Sequence, residues 1–121
     1  MRSLCAVVVL ACAVVAVGPE RVRAQADVVA RGLVVAEGHC SRCHAVGATG
    51  ESPQRLVIPF RNLYVRFPVD MLVEALQSGT VGGHDEMPMF ELGRRDTHAL
   101  IAYIDSLSPP EARYLAPPAK P

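Results

Sequence analysis

The chain has 121 residues, half of them apolar, with 12 basic and 12 acidic side chains and a formal net charge of zero. That balance, with no run of arginine or lysine, excludes the electrostatic footprint of a nucleic-acid-binding protein. The length allows one domain and a modest core.

The amino terminus reads as a secretory signal peptide over residues 1–26. Met1-Arg2 is a short basic start, Leu4 to Val17 is an almost unbroken apolar run, and Val22-Arg23-Ala24-Gln25-Ala26 offers small residues for cleavage. Cutting is expected after Ala26, or after Ala24. The apolar run is shorter than the roughly 20 residues of a spanning helix, and Arg21 and Arg23 on its far side disfavour an anchored orientation, so no membrane span is expected in the mature form. Val9-Leu10-Ala11-Cys12 resembles a lipoprotein box, but apolar sequence continues past it. Cleavage removes Arg2, Glu20, Arg21 and Arg23, leaving a slightly acidic polypeptide, and it removes Cys5 and Cys12. The only cysteines left are Cys40 and Cys43, too few for a disulfide framework.

A first helix is predicted over Val28 to Glu37, ending at Gly38, with Val28, Gly32 and Ala36 on one face and Val29 and Leu33 beside them. Gly32 weakens a helix, so its expected use is close approach of another backbone or ring. Cys40-Ser41-Arg42-Cys43-His44 follows directly. Cys-x-x-Cys-His is the pattern to which haem c is covalently attached: each sulfur adds to one vinyl group, and the adjoining histidine is placed to ligate the iron. A thiol redox pair expects a strand–turn–helix setting that the flanks do not provide. A zinc site lacks a fourth ligand at finger-like spacing. A disulfide across two residues closes with strain.

Residues 45–67 are irregular, rich in Gly, Ser, Pro and Asn, with a short turn possible around Asn62 to Val65. A second helix is predicted from about Val69 to Ser78, where Val69, Leu72, Val73 and Leu76 follow the i, i+3, i+4, i+7 pattern and Gly79 occupies a C′ position. Residues 80–92 form a loop. A third helix runs from about Arg94 to Leu107, with Asp96 in its first turn and Leu100, Tyr103, Ile104 and Leu107 facing inward. From residue 109 to 121 the prolines at 109, 110, 117, 118 and 121 predict an extended tail without helix. The organisation is a signal peptide (1–26), one domain (27–108) and a Pro-rich tail (109–121).

Taken together, the helix with Gly32, the Cys40–His44 pentapeptide, the proline loop, Met87-Pro88-Met89-Phe90 and the closing helix with Leu100 and Tyr103 resemble a small class I cytochrome c over roughly residues 30–107. The resemblance implies an all-α cytochrome c fold, three main helices around one covalent haem, with the first and last helices crossing at Gly32 and Tyr103. It implies attachment at Cys40 and Cys43 and iron ligation by His44. For the sixth ligand the mature chain offers Met71, Met87, Met89, His39, His84 and His98. Met71 is expected to pack within the second helix, His39 is fixed beside Cys40, and His98 is expected at the surface. Family resemblance favours Met87, whose backbone Pro88 restricts to an extended form, with Met89 as the competitor. The same analogy points to the Pro59 carbonyl as acceptor from His44, and Arg61, Tyr64 and Arg66 are candidates for the haem propionates.

The implied function is a periplasmic electron-transfer protein, not an enzyme, receiving electrons from a dehydrogenase or respiratory complex and passing them to an oxidase or reductase. The alternatives are a dedicated haem subunit of a periplasmic dehydrogenase, or a ligand-binding or peroxidatic haem protein if Met87 is labile.

Overall fold

A computed structural model describes residues 18–67, 69–79, 87–88 and 91–114. The apolar run of the signal peptide, His84 with Asp85 and Glu86, Met89, and the tail from residue 115 lie outside the described residues. Three α-helices and two 3-10 turns make up the regular structure: α1 (Pro19–His39), a 3-10 turn (Phe60–Val65), α2 (Val69–Ser78), α3 (Arg94–Leu107) and a second 3-10 turn (Pro110–Tyr114). No strand occurs among the described residues, as the all-α expectation required.

Helix α1 is longer than its periodicity predicts. It begins at Pro19, where a proline suits the first helical turn, and continues through good helix formers from Glu20 to Ala26. Every residue from 19 to 27 is exposed, so this stretch adds nothing to the core. At the other end Gly38 lies within the helix instead of stopping it, and α1 closes on Cys40, whose amide reaches the Ala36 carbonyl at 2.9 Å.

Helices α1 and α3 cross at Gly32. A Cβ built there would overlap the Ala99 carbonyl oxygen and stand 2.6 Å from the Tyr103 Cβ, so only glycine lets the two backbones approach this closely. Around the crossing lie Val35, Ala36, Leu100, Tyr103 and Ile104, all buried. Arg31 and Asp96 span the same helix pair, with Nε 2.8 Å from Oδ1. Both side chains are more than a third exposed, so the pair contributes little.

Helix α2 ends where expected, on Gly79 with φ 71°. Leu76 is buried and its carbonyl accepts from the Leu92 amide at 3.0 Å, which pins the segment entering α3. Thr97, fully buried, donates its hydroxyl to the Leu92 carbonyl at 3.3 Å. Its hydroxyl hides a core position that apolar periodicity alone does not flag.

Two expectations are corrected. Met71 does not pack: it is 65% exposed, on the face of α2 opposite Leu76. The proline tail is not extended from its start, because Pro110–Tyr114 forms a 3-10 turn. Pro110 leads that turn, where its missing N–H costs nothing, and the preceding Pro109 carbonyl accepts from Ala112 at 2.9 Å.

Tyr103 ties the crossing to the loop after the pentapeptide by donating its hydroxyl to the Val46 carbonyl at 2.8 Å. Burial, and secondarily the nearby Glu37 charge, push its phenol above the usual value of 10.0. The unfolded chain therefore ionises first. The stabilisation is complete below about pH 10 and is lost as pH rises through the native value.

Two stability measurements follow from this packing. Gly32→Ala should cost on the order of 2–3 kcal/mol in urea unfolding, since the opposing atoms are backbone and cannot step aside. Tyr103→Phe should cost about 1 kcal/mol at neutral pH, and the gap to the parent should narrow above pH ~10 as the parent's phenol begins to titrate.

Candidate functional site

The end of α1 turns through the pentapeptide by local hydrogen bonds. The Cys43 and His44 amides both reach back to the Cys40 carbonyl, at 3.1 and 2.9 Å, so the two cysteines and the histidine sit on one tight turn. Both cysteines are free thiols. Cys40 is buried, and desolvation with the adjacent Cys43 pushes its pKa up to about 11, so it stays protonated at neutral pH. The loop that follows is irregular but not loose. The Phe60 amide donates to Ala45 at 2.9 Å, and the Ser52 hydroxyl accepts from the Ala45 amide at 3.1 Å.

His44 is 8% exposed and its Nδ1 donates to the Ile58 carbonyl at 2.7 Å. That bond puts the ring proton on Nδ1 and the lone pair on Nε2, the tautomer that ligates a metal through Nε2 with its basicity raised by the second partner. The Phe60 ring stands 5.3 Å away, tilted by 55°, and holds the imidazole from the side. The acceptor is Ile58 and not Pro59 as analogy suggested. The Pro59 carbonyl is taken by the Asn62 amide at 2.9 Å, the first bond of the 3-10 turn. A residue preceding proline is held extended, so the rigidity expected of Pro59 acts one position earlier.

Cys40 and His44 open onto a cleft with an empty volume of about 830 Å3, its mouth included. One wall is the 3-10 turn, through Phe60 and Leu63, with Ile58 before it and Phe67 after. The other walls are Leu72 and Leu76 of α2, and Leu100 and Ile104 of α3. Leu56 and Arg66 stand at the lining as well. Leu56 was not a candidate from sequence: it is fully exposed with φ 71°, an unusual backbone for leucine that no residue pattern announces.

Met87 lines the same cleft as His44. Met71, exposed on α2, does not, and His98 is exposed on α3. Cys43 is half-buried beside the cleft residues Cys40 and His44. Tyr64 and Arg61 are half-buried, and neither is among the lining residues. Among the described residues no cluster of three or more His, Cys, Asp or Glu could hold a metal ion. Two cysteines with no disulfide between them, a histidine whose tautomer leaves Nε2 to ligate a metal, and an apolar cleft fit a covalently held porphyrin.

Comparison with known proteins agrees. A family model described as Cytochrome c matches residues 29–108. The chain is 33% identical over 98 residues to cytochrome c-552 of Bradyrhizobium diazoefficiens, an alignment covering 81% of this chain and 92% of that protein. No solved structure matches at a significant level. The chain belongs to the cytochrome c family, and its cofactor is haem c, with its iron, bound covalently for electron transfer.

Proposed function

We propose that this protein is a periplasmic electron carrier whose single haem is attached through Cys40 and Cys43 and ligated by His44 and Met87. The observation that carries the proposal is that Met87 lines the same cleft as Cys40 and His44. Pro88 restricts the backbone of Met87 and favours a fixed presentation of its sulfur.

When bound, the haem supplies a one-electron iron centre, and a thioether opposite an imidazole favours its ferrous state over bis-histidine ligation. The residues of the chain do the rest. Ile58 and Phe60 fix the His44 ring, so the ligand need not reorient between oxidation states. The apolar walls from Leu72, Leu76, Leu100 and Ile104 exclude water, which limits the solvent rearrangement that accompanies a change of charge. With His44 and Met87 both given to the iron, the bound group would offer small oxidants no open site, which would favour outer-sphere transfer over catalysis.

Export is part of the proposal. Removal of residues 1–26 is supported by the exposure of residues 19–27, whose loss would take nothing from the core. Among the described residues no helix is long and apolar enough to cross a membrane. Partners are then redox proteins of the same compartment: a dehydrogenase or respiratory complex as donor, an oxidase or reductase as acceptor. The domain would run from 27 to 108, followed by the Pro-rich segment.

Two substitutions test the assignment. Replacing Cys40 and Cys43 together by alanine should leave no haem that survives acid–acetone extraction; retained haem would refute attachment at the pentapeptide. Met87→Ala should abolish the long-wavelength sulfur-to-iron band of the oxidised protein and lower its potential, while Met89→Leu should keep both. The opposite pattern would move the ligand to position 89.

A further inference from the structure

Among the described residues, Leu56 alone has a positive φ, 71°, without being glycine. It is the third residue of a turn closed by the Val57 amide on the Gln54 carbonyl at 3.3 Å. A type II turn asks for a positive φ at that place, which glycine or asparagine supplies freely and leucine only against its own Cβ. The backbone purpose of the turn is clear. Val57 beyond it is buried, and the carbonyl after that, of Ile58, accepts from His44. Glycine would serve that purpose without strain, so the leucine is there for its side chain. Local strain of this kind concentrates where a ligand is held.

No other part of the described chain covers that side chain, which is 102% exposed. Yet Leu56 lines the cleft, together with Ile58 and Phe60 of the same segment. Val34, Val65 and Met71 are large, apolar and exposed as well, but none of them lines the cleft and none has a positive φ. Strain, exposure and a place at the cleft therefore coincide at one residue. We infer that Leu56 is a cap on the cofactor: the turn holds its side chain at the mouth of the cleft, where it packs against the bound porphyrin and keeps water away. The inference rests on the haem occupying this cleft. Its consequence is electrostatic, because water stabilises the more highly charged ferric state. A cap that excludes water favours the reduced state.

The test uses the covalently loaded protein and three variants. Leu56→Asn keeps easy access to a positive φ but removes the apolar group, and Leu56→Met keeps apolar bulk. Val34→Asn is the control, at an exposed apolar position of α1 outside the cleft. Leu56→Asn should shift the redox equilibrium toward the oxidised form, while Leu56→Met and Val34→Asn should stay at the parent potential. An unchanged potential in Leu56→Asn would overturn the inference, as would an equal shift in Val34→Asn. NMR of the reduced parent, with leucine methyls isotopically labelled, decides even if Leu56→Asn fails to take up haem. Leu56 methyl signals displaced by the porphyrin ring current, with cross-peaks to porphyrin protons, support the cap. Signals at ordinary aliphatic positions without such cross-peaks overturn it and leave a protein partner as the occupant. Failure of the haem assignment itself would be separate, appearing as parent protein without covalent haem.

Discussion

Where α1 and α3 cross, the side chain that is missing matters more than any that is present. Gly32 lets the Ala99 carbonyl and the Tyr103 Cβ come closer than any Cβ would permit. That approach fixes the rotation of α3, and with it the face carrying Leu100 and Ile104 that becomes a wall of the cleft. It also places the Tyr103 hydroxyl against the Val46 carbonyl, holding the loop just beyond His44. The cofactor-binding turn begins at the end of the same α1. A steric constraint between two backbones therefore sets the distance between the cysteine-bearing turn and the wall that faces it. The exposed Arg31–Asp96 pair spans the same helices but is too solvated to define their geometry.

The loop from 45 to 60 shows how irregular backbone can still be rigid. No helix or strand occurs in it before Phe60, yet the Gln54 amide closes back onto the Cys43 carbonyl at 3.4 Å, and Ser52 and Phe60 both bond to Ala45, the residue after the pentapeptide. One product of this folding is the Ile58 carbonyl at Nδ1 of His44. A histidine on a mobile loop would choose its tautomer with each fluctuation, whereas here a fixed carbonyl acceptor chooses it. In the proposed ligation that choice determines both the orientation of the imidazole and how strongly it donates to iron.

The cleft also accounts for how so short a chain maintains a folded core. Inward residues of α2, α3 and the first 3-10 turn, with Cys40 just past the end of α1, end on a common apolar space and only partly on one another. A large flat apolar group in that space would give each wall something to pack against. Cofactor and core are in this sense one structure, and a substitution in the cleft is expected to perturb redox behaviour and stability together.

Much of this was legible in the residues themselves. Cys40-Ser41-Arg42-Cys43-His44 identifies the covalent chemistry because the spacing is local, and a local arrangement survives without knowledge of the fold. The limits of α2 and α3 follow from apolar periodicity and from Gly79, and Gly32, on the apolar face of its helix, pointed to a close approach of another backbone or ring. Other features needed the tertiary structure. Met71 reads as apolar and so as core, but only the placement of α2 decides which of its faces meets solvent. Pro59 draws attention as the rigid residue, yet its carbonyl closes the 3-10 turn and the bond to His44 falls to Ile58. The buried Nη1 of Arg61, the inward hydroxyl of Thr97 and the strained backbone of Leu56 have no sequence signature at all. Sequence alone determined the chemistry that depends on neighbours along the chain. Which atoms face the cleft depends on residues far apart in sequence, and only packing brings those together.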